Sequence, residues 1–105
     1  MGNLIFTFDH LSGISPLDME QVVRAIVDGS SFDVLAKALK LAAPAVTAKI
    51  RGAMGINMKR ELDEIIETTP TKMRVKDIED EQRKILKVVK EMIYSGEIEM
   101  EGELV

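Results

Sequence analysis

Hydrophobic residues recur at helical spacing along most of this chain, and the longest such pattern is VKDIEDEQRKILKVVKEMIY at residues 75–94. Ile78, Ile85, Leu86, Val89, Met92 and Ile93 mark one buried stripe, while Glu79, Asp80, Glu81, Arg83, Lys84, Lys87 and Lys90 lie mostly off it. Acidic residues lead this helix and basic ones follow, the order a helix dipole favours, and Gly96 stands where a left-handed cap would close it. The segments upstream read as shorter helices that pack on this one.

Ile5-Phe6-Thr7-Phe8 is a short apolar run, read as a segment pinned to the core or as a linker, and residues 9–13 suggest one helical turn closed by Gly13. Ser15-Pro16-Leu17-Asp18 is a helix start: a hydroxyl at the cap, proline at the first helical position, and an acid three residues after the serine. Met19, Val22, Val23 and Ile26 form that helix's stripe, and Asp28-Gly29 ends it. Ser30 with Asp33 repeats the start signal for a helix burying Val34, Leu35, Ala38 and Leu39, with Lys37 and Lys40 on its polar side. Pro44 opens the next, whose inward residues are Val46, Ile50, Ala53 and Met54. After Gly55 a further helix places Met58, Leu62, Ile65 and Ile66 inward and Lys59, Arg60, Asp63, Glu64 and Glu67 outward, until Thr69-Pro70-Thr71 stops it. The expectation is an all-α fold, a compact bundle of five to six helices, with a hinge or linker at 1–8, the helical domain at 9–96 and a frayed acidic tail at 97–105.

Bulk properties narrow the class. A chain of 105 residues suits one domain, and no apolar run approaches the ~20 residues that a membrane-spanning helix needs. The absence of cysteine excludes disulfides, thiolate zinc sites and cysteine nucleophiles, and fits a reducing compartment such as the cytoplasm. A net charge of −4 gives no electrostatic footprint for nucleic acid or an anionic membrane. The opening residues carry neither a secretory leader nor a myristoylation signal, since Phe6 occupies the position where a serine or threonine is wanted.

Candidate chemistry is sparse. His10 is the sole histidine, so no second imidazole completes a metal pair, and Asp63-Glu64 and Glu79-Asp80-Glu81 sit on helices beside basic residues rather than on a cation-binding loop. Gly52 and Gly55 are too isolated for a phosphate loop, and the seven methionines read as core filler. We therefore expect no catalytic residue, no metal, no cofactor and no small-molecule substrate. What remains is a surface of mixed charge: Lys40, Lys59, Arg60, Asp63, Glu64, Lys72 and Arg74. Either it is a solvated face with weak pairs such as Arg60 with Glu64, or it is a ridge that reads a partner by charge complementarity.

Five short signals, in order, resemble one family. IFTFDHL at residues 5–11 resembles the M-F-x-F-[DE]-x-[IL] hinge segment of the flagellar motor switch protein family FliG, and KALKLA at 37–42 its A-L-K-G-A. AKIRGAM at 48–54 is similar to its E-K-I-x-x-N-M, KMRVKDIEDEQRKI at 72–85 to its P-V-R-L-x-D-V-E-x-A-Q-x-x-I, and SGEIEM at 95–100 to its closing G-E-[IM]-x-[IV]. The resemblance implies the C-terminal subdomain of FliG, all-helical and related to armadillo-like superhelical proteins. That unit lies on the cytoplasmic rotor ring, peripheral to the inner membrane at the flagellar basal body, without inserting into it.

In that family a charged ridge faces the cytoplasmic loop of the stator protein MotA, and torque and rotation direction arise there; FliM and neighbouring FliG subunits are the rotor partners. Carried over, Lys40 matches the lysine of A-L-K, Glu64 with Asp63 the acidic pair, and Arg74 the arginine of P-V-R-L, with Lys59 and Arg60 as further ridge cations. Ile5, Phe6 and Phe8 would be the hinge and packing residues. Two positions depart: Asn57 stands where the family has arginine, and Ile65 where it has a second acid. The competing function is a structural helical module that packs within an assembly without touching a stator. A third, DNA binding through a helix-turn-helix, has against it the net charge of −4 and the lack of a basic recognition helix.

Overall fold

A computed structural model describes residues 8–29 and 31–98. A first 3-10 turn, Phe8–Gly13, precedes α1 (Pro16–Gly29) and α2 (Phe32–Ala38); a second, Leu39–Leu41, leads to α3 (Pro44–Gly52), α4 (Ile56–Thr68) and α5 (Val75–Ser95). The described residues are thus all-α, with five α-helices and no extended strand. None of these helices is long and apolar enough to cross a membrane.

Local chemistry explains most of the boundaries. The Ser15 hydroxyl accepts the backbone N–H of Asp18 at 3.2 Å, and Pro16 occupies the first helical position of α1, where a missing N–H costs nothing. Pro44 does the same for α3. At the far end of α5 Gly96 adopts φ 83, its N–H donates to the Ile93 carbonyl at 3.1 Å and that of Glu97 to the Met92 carbonyl at 3.0 Å, which satisfies two of the carbonyls that α5 would otherwise leave open. The start of α2 differs from expectation. Ser31, in extended conformation, holds the cap position and Phe32 begins the helix, while Ser30 lies outside the described residues.

Packing centres on the shortest α-helix. Four of the seven residues of α2, Val34, Leu35, Ala36 and Ala38, are buried, and its two polar residues, Asp33 and Lys37, pair with each other at 2.8 Å. It lies against both α4 and α5, whereas α1 packs on α3 and α5. Helix α4 therefore rests mainly on α2 rather than on α5 as the sequence pattern suggested. The small side chains Ala36 and Ala38 admit a close approach that the pattern of α5 alone does not reveal. Gln82 of α5 donates to the Ala38 carbonyl at 3.0 Å and caps the exit from α2.

Phe8 packs into the core as a pinned segment would, and the far end of the bundle is drawn further in than expected. Phe8 is 5% exposed and Ile98 2%, and both belong to the core cluster, so the packed unit includes residues assigned above to the hinge and to the frayed tail. Ile5 and Phe6, the other expected packing residues, lie outside the described residues.

Candidate functional site

Helix α4 is amphipathic in an unusual way. Leu62 is its one buried residue, with Met58 and Ile65 half-buried, and Ile66, expected to face inward, is 41% exposed. An apolar stripe anchored this narrowly turns most of the helix toward solvent. Lys59 falls in the first turn and Glu67 in the last, with Arg60, Asp63 and Glu64 between them. Positive charge at the start and negative charge at the end is the reverse of what the helix dipole stabilises. Gly55 holds the cap position without a side-chain hydrogen bond, so nothing at that end offsets the mismatch.

Four of the six ridge residues named from the sequence, Lys59, Arg60, Asp63 and Glu64, come together on one shallow groove, which Arg51, Ile56 and Glu67 complete. Arg51 lies in the last turn of α3, and its guanidinium grips Asp63 with two prongs, Nη1 to Oδ1 at 2.8 Å and Nη2 to Oδ2 at 3.2 Å. This hydrogen bonding holds the Asp63 carboxyl below its ordinary range and raises the Arg51 guanidinium further, so both stay charged across the physiological range. The sequence pattern pointed instead to Arg60 with Glu64. Among the described residues no ion pair joins those two; both project from exposed positions, and the pairing arginine comes from the neighbouring helix.

Lys40 and Arg74 stand apart from that groove. Lys40 lies in the second 3-10 turn and its ammonium donates to the Thr71 carbonyl at 3.4 Å, while Arg74 caps the start of α5 three residues on. The two therefore flank the connection that follows the acidic end of α4. The hydroxyl of Thr69 fixes that end, donating to the Ile65 carbonyl at 2.8 Å from a buried position. Asn57 is exposed in the first turn of α4, and Ile65 is half-buried. Arg51 is the site residue that pattern reading passed over; its only signal was a cation at the end of α3, shared with Lys49.

The described residues thus form an all-helical domain with charged side chains gathered along the outer face of α4. The profile of the FliG C-terminal domain matches residues 1–100, and the chain belongs to that family. It is accordingly a component of the flagellar motor switch, from a family of structural motor parts that work against other motor proteins rather than of enzymes. A comparison with curated proteins finds no match.

Proposed function

We propose that the α4 ridge is the surface through which this domain meets the stator, in the cytoplasm at the rotor ring, so that torque and rotation direction arise from its contact with the cytoplasmic loop of MotA. In this reading Lys59 and Arg60 offer the positive end and Asp63 and Glu64 the negative end, with Lys40 and Arg74 continuing the strip past the α4 to α5 connection. FliM and neighbouring FliG subunits hold the domain on the ring. Lys59 and Arg60 take over the charge that Asn57 lacks, and Asp63 supplies the second acid that Ile65 does not.

The observation that carries the reading is the charge order of α4. A charge set against the dipole in a terminal turn, as Lys59 and Glu67 are, costs roughly 0.3–1 kcal/mol, and a helix selected only for solubility has no reason to keep that order. A partner with the complementary order removes that cost on contact, and charge complementarity at an exposed face gives fast association and release. The test is to reverse Arg60 and Glu64, separately and together, in the full-length gene of a motile host. Flagellar filaments that fail to rotate in the single variants are the expected outcome. Normal swimming in all three variants would sink the proposal.

A structural module without stator contact is the second reading. Ile56, 77% exposed at the start of α4, is the observation in its favour, because a large apolar residue at a helix start suits packing within an assembly. An association that survives high salt would favour that reading over the charged contact.

A further inference from the structure

Helix α4 is held to the domain along one side, through α2, with Met58 and Ile65 partly buried beside Leu62. Its buried anchor is Leu62 against α2, and its amino end leaves the connection at Gly55, where no side chain caps the helix. Met54 is buried just before Gly55 and fixes the connection up to that point. Gly55 itself has a negative φ of −76, and a Cβ built there meets no heavy atom within 4 Å. Neither space nor backbone region demands glycine, so its consequence at this position is rotational freedom between α3 and α4.

One contact crosses that pivot on the outer side. The Arg51 guanidinium reaches out from the last turn of α3, and its two-pronged bond meets Asp63 about two turns into α4. The two side chains are 32% and 56% exposed, so solvent screens the pair and its contribution to global stability is small. Geometry is what a planar guanidinium meeting a carboxylate supplies: two parallel bonds define a direction, where a lysine would define only a distance.

We propose that the Arg51–Asp63 pair is a latch that fixes the pitch of α4 about Gly55, making Arg51 a positioning residue for the partner contact. The proposal rests on the ridge reading given above. Arg51 does not meet the partner in this scheme. It determines the direction in which Lys59, Arg60 and Glu64 project, and Asp63 contributes to the ridge as the latched acid.

The test has one arm in solution and one in cells. Residual dipolar couplings on the 105-residue chain report the orientation of α4 relative to α3 in the wild type, Arg51→Ala, Asp63→Asn and the charge swap R51D/D63R. Reorientation of α4 in both single variants, an undisturbed α2 and α5, and recovery in the swap are expected; an unchanged α4 in Arg51→Ala overturns the latch. In the full-length gene, Arg51→Ala, which leaves every ridge charge in place, is expected to slow rotation at least about twofold, within the range that residues acting through others produce. An α4 that reorients in Arg51→Ala while rotation stays normal overturns the positioning role; the swap is read in solution only, because Asp63 is itself a ridge acid. Normal rotation in Arg51→Ala alongside arrested rotation in Arg60→Glu overturns the latch alone. Normal rotation in both overturns the ridge reading and the latch with it.

Discussion

Helices α4 and α5 follow one another in the chain and share charged, amphipathic sequences, yet they are held in opposite ways. Helix α5 buries Ile78, Ile85, Val89, Met92 and Ile93 over 21 residues, begins with Asp77 in its first turn and ends on a left-handed glycine. Helix α4 buries Leu62 alone over 13 residues, has no acid in its first turn and no base in its last. At about 1.5–3 kcal/mol for each fully buried aliphatic side chain, the anchoring of α5 exceeds that of α4 several-fold. Amphipathic patterning alone therefore does not say whether a helix holds a domain together or displays a surface. The number of buried anchors and the direction of the charge order separate the two.

The sharpest way to break this comparison is to remove one anchor from each helix. Ile85 and Leu62 are both essentially inaccessible, and truncating either to alanine deletes comparable apolar bulk. Ile85→Ala is expected to lower the stability of the whole domain by about 2–5 kcal/mol, because α5 joins the packing of α1 and α2. Leu62→Ala removes the sole buried anchor of α4, so its effect should concentrate there: amides of α4 exchange with solvent through local opening while those of α5 keep most of their protection. Hydrogen exchange read residue by residue decides the matter. Uniform loss of protection in both variants would mean that α4 is as integral to the core as α5.

A smaller effect sharpens the contrast at the helix ends. Gly96 sits at φ 83, a conformation that costs a residue with a Cβ roughly 1–2 kcal/mol, and nothing crowds the site sterically. Gly96→Ala should therefore destabilise the domain by about 1 kcal/mol in denaturant unfolding, through backbone strain alone. Gly55→Ala, at a negative φ with open space, should show no such loss. Equal losses at the two glycines would remove the distinction between a capped, fixed end and a free one.

What could be read from the sequence divides along the same line. Helix starts and stops that rest on one residue's chemistry were legible: Ser15 with Pro16, Pro44, the break at Gly55, and the left-handed cap at Gly96. The central role of α2 was not, because a buried stripe says that a short helix packs and which side faces inward, but not how many neighbours lie on it. Neighbouring isoleucines at the edge of a stripe are equally ambiguous, which is why Ile66 was placed inward with Ile65 although it projects outward. That Lys59, Arg60, Asp63 and Glu64 share one face of α4 was legible from their spacing. Their pairing was not, since Arg51 and Asp63 lie on different helices and their meeting depends on a crossing angle that no local pattern encodes.

The smallest expected effect on stability bears most directly on function. Glu67 lies in the last turn of α4, where the helix dipole disfavours it and where Asp63 and Glu64 stand one turn back with the same charge. Glu67→Lys turns each of those repulsions into an attraction, and should stabilise the domain by about 0.5–1 kcal/mol, visible as a rise of a few degrees in thermal unfolding. The same substitution reverses the charge at the acidic end of the ridge, so a motor carrying it should turn poorly despite the firmer domain. Stability and rotation moving in opposite directions is the behaviour of a surface kept for its partner at a cost to its own helix. If the variant is more stable and rotates normally, the charge order of α4 has no bearing on the contact, and α4 differs from α5 only in being less buried.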